Sequence, residues 1–267
     1  TSGTKLNGIK AIIFDIYGTL LISGSGDVGT ALEAGTVEAF LTALDKCGLR
    51  IEKTLLADRI KNLFFESISM SHQKLKRNGF PFPEVNIIEI WKQIFSDKEL
   101  LSGIPDIKFI DPALAAAAYE TVVNPVYPMP GTKELLDYLY SNNYSLGIIS
   151  NAQFYTPILF DNFFVGGLNE LGFNKDICLF SYEEQRSKPD SFLFDKITKK
   201  LAGLGILPNE TVYIGNDMYK DIMPSQKAGF KTILFAGDKR SLRWRKDIDA
   251  CRNVKPDVIV TNLTDVI

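Results

Sequence analysis

Two hydrophobic periods divide this chain. Near its start and through its second half, apolar residues come in short unbroken runs. Between Thr36 and Asn124 they recur at three- and four-residue spacing. Lys10–Phe14 is the first short run and ends at Asp15, the pattern of a strand buried on both faces. Ile16 to Gly29 reads as loop, because Gly18, Gly24, Gly26 and Gly29 interrupt any regular period. Thr36–Cys47 then carries Val37, Phe40, Leu41 and Leu44 at helical spacing and is closed by Gly48. Leu55–Arg77 is a longer helix stopping at Asn78-Gly79. Glu84–Leu101 is a third, with Ile87, Ile88, Trp91, Ile94 and Phe95 on its stripe. Asp111-Pro112 opens a fourth through Ala113 to Tyr119, an N-cap followed by proline where its missing N–H costs nothing. No strand is expected in this block. Its aromatic stripes read as bundle core, although Phe82, Trp91 and Tyr119 also suit a pocket lining.

After Pro125 strands and helices alternate. Gly131–Tyr140, Ser191–Leu201 and Tyr219–Ala228 read as helices. Ser145–Ile149, Asp176–Phe180, Thr211–Ile214, Lys231–Phe235 and Asp257–Val260 read as strands. This alternation predicts an α/β fold with a doubly wound parallel sheet covered on both faces. One core is expected from residues 1–22 and 125–267, with residues 23–124 an inserted all-helical block.

Composition narrows the function classes. The 267 residues carry 30 Lys plus Arg against 32 Asp plus Glu, so no global charge favours nucleic acid or an anionic membrane as partner. The basic run of Lys239, Arg240, Arg243, Arg245 and Lys246 is interleaved with Asp238, Asp247 and Asp249 and reads as the solvated face of a helix. No apolar run is long enough to span a bilayer, and Thr1–Thr4 shows no signal-peptide pattern. Cys47, Cys178 and Cys251 are odd in number and far apart, which suits reduced thiols and a cytoplasmic location. The single histidine, His72, lies in a helical pattern with no acidic neighbour and reads as a helix-surface residue. One histidine so placed argues against histidine-based triads and leaves no multi-histidine metal site. Chemistry here must run on carboxylates, hydroxyls and lysine.

In open parallel sheets, ligands bind beyond the carboxyl ends of the strands. The first strand delivers Asp15-Ile16-Tyr17-Gly18-Thr19-Leu20, and the second Ser150-Asn151. Lys188, in Ser187-Lys188-Pro189-Asp190, follows the third; the fourth delivers Gly215-Asn216-Asp217, with Asp221 four residues on. Singly, these are ordinary turn and helix-cap residues. In this order they resemble the four motifs of the haloacid dehalogenase-like superfamily, and the helical block resembles its helical cap. Tyr127–Gly131 and Ala228–Thr232 are similar in phrasing to the same group.

The resemblance implies a hydrolase of small molecules, phosphorylated metabolites or 2-haloacids. Asp15 would be the nucleophile, forming a covalent intermediate that splits one hard displacement into two easier steps. Magnesium would be held by Asp15, the backbone carbonyl of Tyr17, and Asp217, an all-oxygen set suited to that hard cation. Ser150 and Thr19 would hydrogen-bond the transferring group, Asn151 would stand beside the substrate, and Lys188 would supply positive charge. Asp221 would orient the metal's water or Lys188.

One position departs from the pattern. Family phosphatases carry an acid/base aspartate two residues after the nucleophile, where this chain has Tyr17. Tyrosine donates a proton at neutral pH but is a poor base. An Asp-x-Tyr-Gly-Thr-Leu segment is familiar from 2-haloacid dehalogenases, whose halide leaving group needs no proton. Yet Phe194 stands six residues after Lys188, where those enzymes have tyrosine, and Leu21–Leu49 contains no arginine to bind a substrate carboxylate. Three readings stay open: a magnesium-dependent phosphatase using Asp15, a dehalogenase-like hydrolase acting at carbon, and a catalytically degenerate binding protein. The phosphatase reading holds if the leaving group is good, if Tyr17 donates the proton, or if a residue of the helical block supplies the base. Ser23–Asp27 fits either an anion-wrapping loop or a hinge. Oligomeric state is left open.

Overall fold

The computed structural model describes residues 2–3, 6–24, 35–52 and 55–267. A seven-stranded sheet forms its centre. In chain order the strands are β1 (Ser2–Gly3), β2 (Ala11–Phe14), β3 (Leu21–Ser23), β4 (Val126–Pro128), β5 (Ser145–Ser150), β6 (Phe173–Phe180), β7 (Thr211–Gly215), β8 (Lys231–Phe235) and β9 (Val258–Val260). The sheet order is β1-β9-β8-β7-β2-β5-β6, with β3 and β4 paired separately. Every neighbouring pair in the large sheet is parallel except β1 with β9. The parallel α/β architecture expected from the sequence is therefore present.

The sequence explains the central position of β2. Ala11, Ile13 and Phe14 are fully buried and Ile12 nearly so, because helices cover both faces. Ile12 and Phe14 join one hydrophobic cluster with Leu135, Leu139 and Phe160, while Ala11 and Ile13 join another with Leu193, Phe194 and Ile197. Burying each such side chain stabilises by at most about 1.5–3 kcal/mol.

The helices of the inserted block are α1 (Val37–Lys46), α2 (Leu55–Arg77), α3 (Ile87–Phe95), α4 (Lys98–Gly103) and α5 (Pro112–Val123). They share a core of their own around Phe40, Phe64, Trp91 and Tyr119, so Trp91 and Tyr119 are bundle core rather than pocket lining. Phe40 and Tyr119 stack with ring centroids 4.4 Å apart. Asp111 caps α5 as the sequence predicts, whereas Thr36, read as the start of the first helix, is its cap. The predicted helix Glu84–Leu101 is instead two, α3 and α4. Asp97 caps the second through the amides of Glu99 and Leu100, while Arg59 holds its carboxylate at 2.8 and 2.7 Å. An aspartate that can cap competes with helix continuation. His72 is half-buried rather than a free surface residue; its Nε2 is enclosed without a hydrogen-bond partner among the described residues, and burial lowers its pKa.

In the remainder, α6 (Thr132–Ser141), α7 (Tyr155–Phe163), α8 (Gly167–Glu170), α9 (Ser181–Glu184), α10 (Ser191–Gly203) and α11 (Met223–Lys227) flank the sheet. Helix α7 escapes the pattern because its first turn, Tyr155-Thr156-Pro157, reads as a breaker, although proline there costs no hydrogen bond. Residues 219–228 are not one α-helix: Met218–Ile222 is a wide π-type turn before α11. Pro224 lacks the N–H that would bond the Lys220 carbonyl, so the regular ladder cannot run through. The stretch read as loop after Asp15 includes β3, which pairs antiparallel with β4 where the chain crosses into and out of the helical block. Of the Ser23–Asp27 loop only Ser23 and Gly24 lie among the described residues. The basic run 239–246 is not helical: it is a turn-rich segment tied to the β7 loop, with Arg243 N bonded to Asn216 O and Met218 N to Arg243 O, both at 2.9 Å. Backbone pairing to that loop excludes a helix. Among the described residues no helix is long and apolar enough to cross a membrane.

Candidate active site

Strand β2 lies between β5 and β7, with Phe14 opposite Ile148 on one side and Ile214 on the other. This register puts Asp15, Ser150 and Gly215-Asn216-Asp217 at the same carboxyl edge, where the Asp15 amide still bonds the Ile214 carbonyl at 2.9 Å. Lys188 comes in from the segment between α9 and α10. Its Nζ lies 2.7 Å from Asp15 Oδ1 and 2.6 Å from Asp221 Oδ1, with side chains of Lys188 and Asp221 almost wholly buried. Ser150 Oγ donates to the same Asp15 oxygen at 3.0 Å. Both contacts fall on Oδ1 rather than Oδ2. Tyr213 of β7 completes the cluster: Lys188 Nζ lies 3.1 Å from its hydroxyl, which donates to Ile149 O at 2.8 Å.

Asp221 is held by backbone as well as by lysine. Its Oδ2 accepts from the amides of Asn216 at 3.1 Å and Asp217 at 2.9 Å. Those contacts demand glycine at 215, since a Cβ there would stand 2.5 Å from the Asp221 carboxyl carbon. Burial, followed by the charges of Asp15 and Asp217, raises the Asp221 pKa, with Lys188 opposing. Burial alone would lower Lys188, but Asp15 and Asp221 outweigh it and keep the ammonium charged. Gly18 adopts a left-handed φ of 84°, and a Cβ there would meet Asn216 Nδ2 at 2.5 Å and Ser241 Cβ at 2.6 Å. The glycine lets the loop after β2 lie flat against the loop after β7.

Asp217 has different company. Its Oδ1 accepts from the amides of Tyr219 at 2.8 Å and Lys220 at 3.1 Å. Arg245 grips the carboxylate, with Nε at 3.2 and 3.1 Å from its two oxygens and a terminal nitrogen at 2.6 Å from Oδ2. The donors that the family resemblance assigns to magnesium, namely Asp15, the Tyr17 carbonyl and Asp217, are all oxygen and fit a hard cation in kind. Among the described residues no three His, Cys, Asp or Glu side chains converge on a metal position, so the carbonyl and water would have to complete the shell.

The Tyr17 side chain is buried and its hydroxyl lies 2.8 Å from Thr156 Oγ1. Burial, with Glu120 and Asp15 nearby, raises its pKa beyond the ordinary tyrosine value, so the phenol stays protonated. Glu120 of α5 reaches this region from the helical block. It accepts from Asn124 Nδ2 at 2.7 Å and is hydrogen-bonded to Tyr155, and burial raises its pKa. Asn124 in turn accepts from Ser23 Oγ at 2.8 Å. A second cross-link runs through Glu84, whose pKa is raised to about 7 by burial. Glu84 accepts from Ser181 Oγ at 3.0 Å, and Gln153 bonds the Ile87 amide and the Val85 carbonyl. A cavity of about 410 Å³ adjoins Glu84, between α2, α3 and Gln185.

The structure thus joins Asp15, Ser150, Lys188 and Asp221 in one hydrogen-bonded set, with Asp217 attached through its amide. Thr19 stands at the margin, its Oγ1 3.5 Å from Asn216 Oδ1. Asn151, expected beside substrate, turns its amide to the Lys188 backbone, accepting from that amide N–H at 2.7 Å. Sequence reasoning missed Tyr213, Arg245, Glu120 and the Tyr155-Thr156 pair. Tyr213 had a readable signal, because a tyrosine inside an apolar strand must find a hydrogen-bond partner. The others act across long sequence distances and left none.

Residues 9–229 match the haloacid dehalogenase-like hydrolase family, and the chain belongs to it. No curated protein matches the chain. Among solved structures, it is similar to an HAD phosphatase from Thermococcus onnurineus, at 18% identity and TM-score 0.54, over 97% of this chain and 96% of that one. A 2-haloacid dehalogenase from Pseudomonas syringae pv. Tomato is equally similar in fold, at 20% identity and TM-score 0.53, with the same coverage.

Proposed function

We propose that this hydrolase is a magnesium-dependent phosphatase of small phosphorylated metabolites, working through an aspartyl-phosphate on Asp15. The observation that carries the reading is the pair Asp15 and Asp217 at the ends of adjacent strands, with buried Lys188 beside the nucleophile. Asp15 Oδ2 attacks phosphorus while Ser150 and Lys188 hold Oδ1, and the P–O bond to the leaving group breaks. Asp15, the Tyr17 carbonyl and Asp217 would hold the magnesium, which supplies positive charge to the phosphoryl oxygens. Asp221 fixes the position of Lys188, whose ammonium offsets charge as phosphate meets carboxylate. The protonated Tyr17 cannot act as base, which favours substrates with a good leaving group, such as an acyl phosphate. The Asp15 acyl-phosphate is then hydrolysed by water, and we assign acceptance of that proton to Glu120, the helical-block carboxyl whose charge acts on Tyr17. The block of residues 23–124 serves as the cap that chooses substrate.

A second reading is a 2-haloacid dehalogenase. Tyr213 brings a tyrosine hydroxyl to Lys188 from β7, although position 194 is phenylalanine packed on its ring. One assay separates the readings: phosphorylated metabolites and 2-haloacids are supplied with magnesium or with chelator, to the native protein and Asp15→Asn. Phosphate release that needs both magnesium and Asp15 is the expected result. Halide release insensitive to chelator would replace it with the dehalogenase, and silence throughout would favour a binding role.

A further inference from the structure

The carboxylate that the phosphatase reading gives to a metal is already held by a cation of the chain itself. Arg245 contacts both oxygens of Asp217, the closest approach being 2.6 Å. The segment that carries it is fixed in place. Ser241 is fully buried, Asn216 Nδ2 donates to the Ser241 carbonyl at 2.7 Å, and Arg243 pairs with the backbone on both sides of Asp217. Arg245 itself takes φ 51°, in the left-handed region that side chains other than glycine seldom adopt. The backbone is thus turned to deliver this guanidinium, and its planar fork matches a carboxylate face-on.

A divalent cation would need one of these oxygens at about 2.1 Å, closer than any Arg245 nitrogen stands. Its charge would oppose the guanidinium for the same carboxylate. Arg245 keeps about a quarter of its side chain exposed, so it has a solvent route along which to withdraw, unlike Lys188 at 2%. We propose that Arg245 is the resident counter-cation of Asp217, and that a divalent metal occupies the site by exchange with it. The inference rests on the assignment of Asp15, the Tyr17 carbonyl and Asp217 as donors. It makes Arg245 a determinant of metal affinity: the site accepts magnesium only at concentrations that displace the arginine, and stays charge-balanced without it.

The test needs no substrate, so it stands apart from the assay of the phosphatase reading. Chelator-stripped native protein, Arg245→Gln and Asp217→Asn are titrated with magnesium by calorimetry. Arg245→Gln binds magnesium about tenfold more tightly than native protein, and Asp217→Asn loses binding. Unchanged or weaker affinity in a folded Arg245→Gln overturns the proposal, as does no binding by either protein. A second measurement avoids that variant. The Nε–H resonance of Arg245 in isotopically labelled native protein, assigned through Arg245→Lys, moves toward that of free arginine as magnesium is added. A resonance that stays in place at saturating magnesium overturns the exchange equally.

Discussion

Two carboxylates stand at the ends of adjacent strands, and each is neutralised differently. Asp15 meets Lys188, an ammonium sealed in the core and shared with Asp221. Asp217 meets Arg245, a guanidinium on an irregular segment with a path to water. The first pair is fixed by burial on every side, since neither partner regains solvent if the other is lost. The second is fixed by local backbone, and its cation can leave. One end of the site has permanent charge and the other has exchangeable charge.

The sharpest way to break this comparison is to remove each cation in turn. Lys188→Met leaves Asp15 and Asp221 buried without their counter-ion, and stability falls by about 3–5 kcal/mol in denaturant unfolding. Adding Asp221→Asn to Lys188→Met restores part of that loss, because one buried charge goes with the lysine. Glu84 sharpens the contrast as a buried carboxyl bonded to a hydroxyl and amides, with Lys220 a lesser influence than burial. Its folded pKa of about 7 lies above its unfolded value. The stability it contributes is complete below the unfolded pKa and is lost as pH rises through that interval toward about pH 7. Over this window native protein loses on the order of 1–3 kcal/mol relative to Glu84→Gln, measured by denaturant unfolding across pH.

Tyr17→Asp restores a base two residues from the nucleophile and raises hydrolysis of a generic phosphoester about tenfold, read by phosphate release; no gain would count against a phosphatase site. Arg245→Gln has the smallest effect on folding, about 1 kcal/mol or less by the same unfolding measurement, because its ion pair is partly solvated. A loss as large as that of Lys188→Met would erase the distinction between the two carboxylates.

The legible part of this molecule is the part written locally. The run ending at Asp15 could only be a buried strand, and the order of Ser150, Lys188 and Asp217 along the chain followed from strands alternating with helices. The helix start capped by Asp111 was legible for the same reason. Asp97 was not, because capping from inside a periodic stripe looks like an ordinary polar position. Arg245 was misread for a different cause: in a mixed-charge run, solvation is the usual fate of a basic residue. Its carboxylate partner lies well upstream in sequence, and the backbone bonds through Arg243 that bring the two together have no signature in side-chain pattern. Glu120 was hidden likewise, its surroundings being assembled from both sides of the helical block.

The paired crossings at β3 and β4 have a mechanical consequence. Leu21, Ile22 and Ser23 are registered against Pro128, Tyr127 and Val126, so the helical block hangs from a two-stranded ribbon instead of two independent threads. A ribbon flexes across its flat face but resists sliding of one strand along the other, since sliding breaks its hydrogen bonds together. The Ser23–Asn124 bond, between the ribbon's end and the end of α5, adds a lock against twist. Glu84 and Gln153 hold the block to the core at a second place, so ribbon and cross-link together set where Glu120, one turn along α5 from Asn124, stands with respect to Tyr17.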